Sequence, residues 1–187
     1  MSSAHSDVVI FSAPFAQERC SSHTLLLQAA SLYSCLNSDT PGDLEFNPWG
    51  KPFFPSHPDL HFSITHSGDW WLCAFSGQPV GLDLQIHRSY AAPETLSRRF
   101  FHPREDAFLA LDHYRLFYDL WCAKESWVKY TGRGFSDIPE SFSVVSPTGE
   151  FPAMEGVQMQ LLPFRENYSL CVCSQTLGHI RFSPLSE

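Results

Sequence analysis

Leu60-His61-Phe62-Ser63-Ile64-Thr65-His66-Ser67-Gly68-Asp69-Trp70-Trp71-Leu72-Cys73-Ala74-Phe75-Ser76-Gly77-Gln78-Pro79-Val80-Gly81-Leu82-Asp83-Leu84-Gln85 reads as three strands and two turns. Residues 60–65 alternate apolar and polar with period two, the mark of a half-buried strand. Gly68 and Asp69 turn the chain, and Trp70 to Phe75 runs back to complete a hairpin. Gly77-Gln78-Pro79 turns it again into an apolar run that a single acid, Asp83, interrupts. A carboxylate in a short apolar strand is costly to bury unless a cation or a donor compensates it.

Working outward, residues 8–13 read as an opening strand. Residues 22–36 follow a helical period, with Leu25, Leu26, Ala29, Leu32, Tyr33 and Leu36 on one side and Ser22 as N-cap. Residues 37–59 are rich in Asn, Asp, Pro and Gly and are expected to be loop, with Gly50-Lys51-Pro52 at its centre. Downstream, residues 89–93 bridge to helices expected at 94–101, at 104–112 with Pro103 as its starting residue, and at 115–130, closed by Gly132 and Gly134. Strands are expected near 141–146, 157–163, 168–174 and 178–182. This order predicts an α+β fold. Each half holds a helix followed by an antiparallel meander. The expectation is therefore two similar α/β lobes with a pseudo-twofold relation, residues 1–88 and 89–187, joined near residue 88 around one site between them.

The 187 residues are 43% hydrophobic and 14% aromatic, enough for a sizeable core and too rich for disorder. Net charge is −8, yet residues 88–133 hold eight of the twelve basic side chains against six acids. That stretch is either a set of solvated helix faces or a docking surface for an anionic partner. An acidic chain without a basic stripe and stacking aromatics speaks against nucleic-acid binding. No run of about 18 apolar residues is present, so no membrane span is expected. The start Met-Ser-Ser-Ala-His-Ser-Asp does not resemble a secretory leader. Cys20, Cys35, Cys73, Cys122, Cys171 and Cys173 show no Cys-x-x-Cys or zinc-like spacing. They read as reduced thiols of a cytoplasmic protein, packed as small hydrophobes.

A second chemical segment is Trp121-Cys122-Ala123-Lys124-Glu125-Ser126-Trp127-Val128-Lys129. On a helix, Glu125 and Lys129 are i,i+4 and share a face with Trp121 and Val128, so that face is apolar rather than solvated. Lys124 is one residue round and is expected to be exposed. Asp83 and Glu125, if they converge, make a site for a hard oxygen-loving cation, and Lys129 adds a partner for phosphate. Taken singly, Asp83 also reads as a turn cap, His66 as a surface hydrogen-bonding group, and Lys51 as a turn lysine in water. A hydrolase is not supported, because Gly-x-Ser-x-Gly, His-Glu-x-x-His and a Walker-type loop are all missing.

In order along the chain stand Gly50-Lys51-Pro52, Phe62-Ser63-Ile64-Thr65-His66-Ser67, Val80-Gly81-Leu82-Asp83-Leu84 and Trp121-x-x-Lys124-Glu125-Ser126-x-x-Lys129. This set resembles the 4'-phosphopantetheinyl transferases, in particular their long, two-lobed group that activates surfactin synthetase. The resemblance covers roughly residues 49–175. It implies transfer of the phosphopantetheine arm of coenzyme A to a serine of an apo acyl or peptidyl carrier protein, with magnesium, releasing adenosine 3',5'-bisphosphate. It implies Asp83 and Glu125 as magnesium ligands, with Glu125 sharing in deprotonation of the serine. It implies Lys129 on the phosphates, His66 with Thr65 on the 3'-phosphate, and Lys51 near the nucleotide. Gln85 stands where many relatives have a third metal-binding acid, so an amide oxygen or a water is expected there. His23 stands in place of an arginine, and Arg19 is the only strong base nearby. These two departures motivate an alternative, a degenerate relative that binds coenzyme A or a carrier protein without turnover. A monomer is expected.

Overall fold

The computed structural model describes residues 6–16, 21–37, 43–89, 92–134 and 139–185. Arg19, Cys20 and the side chain of Cys35, all weighed above, lie outside the described residues. The chain runs β1 (Val8–Pro14), α1 (Ser22–Asn37), β2 (Glu45–Phe46), β3 (Pro52–Phe53), β4 (His61–Ser67), β5 (Trp70–Ser76) and β6 (Val80–Ile86). It continues as α2 (Pro93–Phe100), α3 (Pro103–Leu111), α4 (Phe117–Thr131), β7 (Gln158–Leu161), β8 (Tyr168–Ser174) and β9 (Ile180–Pro184). The fold is α+β, as the sequence predicts. Among the described residues, no helix is long and apolar enough to cross a membrane.

One sheet has the order β4-β5-β1-β9, antiparallel except for β1 beside β9; a second, antiparallel, has the order β6-β8-β7. Alternation along β1 explains how they stack. Val9, Phe11 and Ala13 pack with Leu25, Leu26 and Ala29 of α1, while Val8 and Ile10 pack with Leu82, Leu84 and Val172 of the second sheet. Ala123 and Cys122 of α4 pack with Cys171 on that sheet's far side. The order of layers is therefore α1, first sheet, second sheet, α4. β6 and β9 each pair outside their own half of the chain: β6 lies beside β8, and β9 beside β1.

Two sheets meet at β4 and β6 through side chains. The β6 amides of Leu82, Leu84 and Ile86 donate to the hydroxyl oxygens of Ser63, Thr65 and Ser67, at 2.9, 3.1 and 2.9 Å. An edge strand would otherwise leave those N–H groups unpaired in the interior.

Three local expectations are corrected. Residues 141–146 are not a strand. A 3-10 turn (Pro139–Ser141) leads into an irregular stretch whose Val144 N–H donates to Glu105 and whose Val145 carbonyl accepts from Arg104. Side chains and the loop at 150–153, not a neighbouring strand, take its backbone groups: the Val144 carbonyl accepts from the Ala153 amide, and the Ser146 amide donates to the Glu150 carbonyl. The cap of α1 is Ser21, whose hydroxyl accepts from the His23 amide, whereas the Ser22 hydroxyl accepts from the Trp71 indole. The last helix starts at Phe117 rather than 115, because His113 and Tyr114 adopt left-handed backbone (φ 52° and 58°).

Candidate functional site

Gly81 decides how closely α4 approaches β6. A Cβ at that position would lie 1.8 Å from the Ser126 carbonyl oxygen and 2.6 Å from the Tyr130 nitrogen. Only a residue without a Cβ permits this contact. Residues 81, 83 and 85 share the strand face turned to α4, so the same approach brings Asp83 under the helix. Lys129 donates to Asp83 Oδ1 at 2.6 Å. Thr65 Oγ1 donates to the same oxygen at 3.1 Å while accepting from the Leu84 amide. Asp83 is thus buried but compensated by a cation and a hydroxyl, the requirement set by its place in an apolar strand.

Glu125 lies one turn before Lys129 on α4, half-buried. Burial raises its carboxyl above the ordinary value, and the neighbouring Asp83 carboxylate pushes the same way; the ammonium groups of Lys129 and Lys124 pull it back. Asp83 and Lys129 are thus in direct contact, and Glu125 lies near enough for the charge of each to act on its carboxyl. Two neighbouring carboxylates in a partly dry site offer a donor set for a hard divalent cation. Gln85 shares the Asp83 face. Its amide donates weakly to the Ile86 carbonyl at 3.5 Å, and it lines a cavity of about 430 Å³ with Arg88, Phe117, Tyr118 and Trp121.

The other sequence-predicted residues are spread differently. His66 points to the opposite face of β4 from Thr65, exposed, with its ring 5.2 Å from that of Phe15. It is not among the groups at Asp83. Lys51 is neither a turn lysine in water nor a free cation. Its ammonium donates to the carbonyls of Lys129, Val80 and Tyr130 at 2.6, 3.3 and 3.4 Å, and burial lowers its pKa to about 8. Together with Lys129 and Ser63 it lines a second cavity of about 230 Å³.

The expectation of an exposed Lys124 is overturned. Its ammonium is buried, donating to Glu105 Oε1 and Oε2 at 2.9 and 2.7 Å and to the Phe142 carbonyl at 2.8 Å, over the Phe142 ring. One of the eight basic side chains of 88–133 is therefore internal. Phe101 is buried against Phe117 in the cluster under α4, and Phe100 and Phe108 pack half-buried on the same cluster. The four described cysteines, Cys73, Cys122, Cys171 and Cys173, are buried free thiols; burial pushes Cys171 up to about 12. The Ser169 hydroxyl donates to Asp119 Oδ1 at 2.5 Å and pairs with His87 Nε2 at 2.8 Å, but it is buried, so the trio braces β8 against α4 rather than presenting a nucleophile.

Reading the sequence missed the roles of Gly81 and Glu105, and it set Thr65 toward phosphate where the structure has its hydroxyl on Asp83 and the Leu84 amide, in a row with Ser63 and Ser67. Ser63, Thr65 and Ser67 stand at i, i+2 and i+4 of a strand, a signal that they share a face. Glu105 gave no comparable signal, because its partner is nineteen residues away.

The fold and site define a class: an α+β scaffold that sets two carboxylates and a lysine at the junction of two sheets and a helix. The family model of the 4'-phosphopantetheinyl transferase superfamily matches residues 79–177, so the chain belongs to that superfamily. It is 36% identical over 140 residues to a 4'-phosphopantetheinyl transferase of Bacillus subtilis, covering 67% of this chain and 60% of that one. It is 41% identical over 108 residues to 4'-phosphopantetheinyl transferase Sfp of Bacillus subtilis strain 168, covering 54% and 47%. With 4'-phosphopantetheinyl transferase gsp of Aneurinibacillus migulanus it shares 38% over 92 residues, covering 47% and 37%. The matches thus span between about a third and three fifths of these relatives' lengths.

Proposed function

We propose that this protein transfers the 4'-phosphopantetheine arm of coenzyme A to a serine of an apo acyl or peptidyl carrier protein. The observation that carries this reading is the convergence of Asp83, Glu125 and Lys129, with Lys129 2.6 Å from Asp83. Family membership supports it. In this reading the serine oxygen attacks the β-phosphorus, the bond to the bridging oxygen breaks, and adenosine 3',5'-bisphosphate departs.

Such a transfer needs alignment and charge neutralisation more than covalent help. Asp83 and Glu125 would hold magnesium, with Gln85 or a water completing the set; when bound, the ion supplies positive charge to the pyrophosphate oxygens. Thr65 fixes the Asp83 carboxylate through Oδ1. Lys129 places an ammonium where charge develops on the transferring group. Glu125, with its raised affinity for a proton, is suited to take the proton of the incoming serine. His66 would bind the 3'-phosphate away from the reacting centre. Residues 1–88 and 89–187 act in this proposal as two lobes of one functional unit, in a cytoplasmic monomer.

Intact-mass spectrometry of a panel of apo carrier proteins mixed with the protein, coenzyme A and magnesium tests this. The expected result is a gain of one phosphopantetheine arm, lost with chelator and with Glu125→Ala. Coenzyme A binding without transfer to any carrier would replace this reading with the degenerate binding protein.

A further inference from the structure

The Gly50-Lys51-Pro52 turn grips the two elements that carry the site. Lys51 donates to the Lys129 and Tyr130 carbonyls in the last turn of α4 and to the Val80 carbonyl at the start of β6. A cation at a helix C-terminus meets carbonyls that have no intrahelical partner and the negative end of the helix dipole. Asn47 completes the grip. Its amide donates to the Gly132 carbonyl at 2.9 Å, and its Oδ1 accepts from the Trp49 and Lys51 amides, each at 2.9 Å. Gly132 caps the helix in the left-handed region (φ 66°), and a Cβ there would lie 2.7 Å from Lys51 Cδ. The lysine stem therefore threads between the turn and the helix end. Its head joins a residue one turn past Glu125 to a residue three before Asp83.

We infer that Lys51 is a positioning residue: its ammonium clasps the end of α4 to β6 and so holds Lys129 and Glu125 over Asp83. This assigns its charge to the protein rather than to the nucleotide, and leaves only its stem to wall the cavity it shares with Lys129. The inference rests on the transferase reading for its kinetic consequence and on the hydrogen bonds alone for its structural one. Burial lowers the affinity of Lys51 for its proton, as for an ammonium taken out of water. Without the clasp, α4 is still held by Gly81 and its packed face, so the expected change is a shift of its last turn, not unfolding.

Lys51→Met keeps the stem and removes the donors; Lys51→Arg keeps a cation with several donors. Steady-state transfer to an apo carrier protein, with coenzyme A varied, separates the two roles. For Lys51→Met the expectation is a fall in kcat on the order of 10²-fold, the cost of about 1 Å of misplacement, with KM for coenzyme A changed less than about twofold. Lys51→Arg should recover most of that loss. Hydrogen exchange of the amides at 129–132 should quicken in Lys51→Met. A large rise in KM with kcat held would overturn the inference and make Lys51 a nucleotide contact. So would exchange and kcat both unchanged. If the wild-type protein transfers nothing while exchange quickens in Lys51→Met, the clasp stands and the transferase reading falls.

Discussion

Two carboxylate–ammonium pairs run across α4, five residues apart on the helix, and they differ in how completely they are answered. Lys124 and Glu105 are 3% and 0% exposed. Glu105 accepts both hydrogen bonds from the ammonium and two more from the His102 and Val144 amides, and Lys124 donates a third to the Phe142 carbonyl. Every charge there has a partner. Lys129 and Asp83 are 30% and 8% exposed, and Glu125 adds a second carboxylate to one ammonium. The first pair is saturated and joins α3, α4 and the 142–144 segment. The second carries an excess of negative charge beside open space. A saturated ion pair organises a fold; an unsaturated one is available for a cation and a phosphate.

Breaking the saturated pair should have the largest effect. Lys124→Met leaves Glu105 buried without its cation, and should cost about 3–5 kcal/mol in urea unfolding. The double variant Lys124→Met/Glu105→Leu should recover part of that loss; a single variant as stable as wild type would show that the pair does not organise α4. At the open pair, Asp83→Ala or Glu125→Ala should slow transfer by at least about 10²-fold, equivalent to roughly 3 kcal/mol of transition-state stabilisation, while the circular dichroism spectrum stays unchanged. Wild-type rates in either variant would refute the site. Gly81→Ala touches neither pair chemically but pushes the helix off the strand, and overpacking of this kind costs about 1–3 kcal/mol. It should lower stability and activity together, and an active, stable variant would mean that α4 tolerates a larger spacing.

The remaining effects are smaller. Glu125 holds its proton more tightly in the folded chain than at its ordinary value of 4.5. Between those two values the folded state binds more protons than the unfolded one, so stability falls as pH rises through that window. The contribution is present in full below 4.5 and lost above the folded value. Denaturant titrations across pH 4–8 without magnesium should show this slope, Glu125→Gln should flatten it, and a slope unaltered in that variant would assign it to another group. The least effect is expected for Gln85→Glu, which adds a carboxylate on the open side and should preserve or raise transfer at low magnesium. A large loss would give Gln85 a different role.

Much of the site was legible because its residues announce themselves locally. Asp83 is conspicuous as one acid in Val80–Gln85, and the Glu125/Lys129 spacing places both on one helix face whatever the helix packs on. Lys124 misled for the same reason: its spacing says which way it leaves the helix, but whether water or Glu105 waits there depends on α3. The strand expected at 141–146 failed alike, because its Val144 and Val145 are buried with Phe101, Leu109 and Phe117 while Glu105 and Arg104 bond its backbone in place of a neighbouring strand.

Periodicity and turn chemistry, properties of adjacent residues, were enough by themselves to determine most of the strands, the helices to within a few residues, the α+β class and the candidate carboxylates. Tertiary structure alone decided the exchange of β6 and β9 between halves, the hydroxyl seam from Ser63 to Ser67, the closeness that Gly81 allows, and the sites where Lys51 and Lys124 discharge their ammonium groups. These depend on contacts between residues far apart in the chain, whose energies arise only once the layers are stacked and water has been excluded.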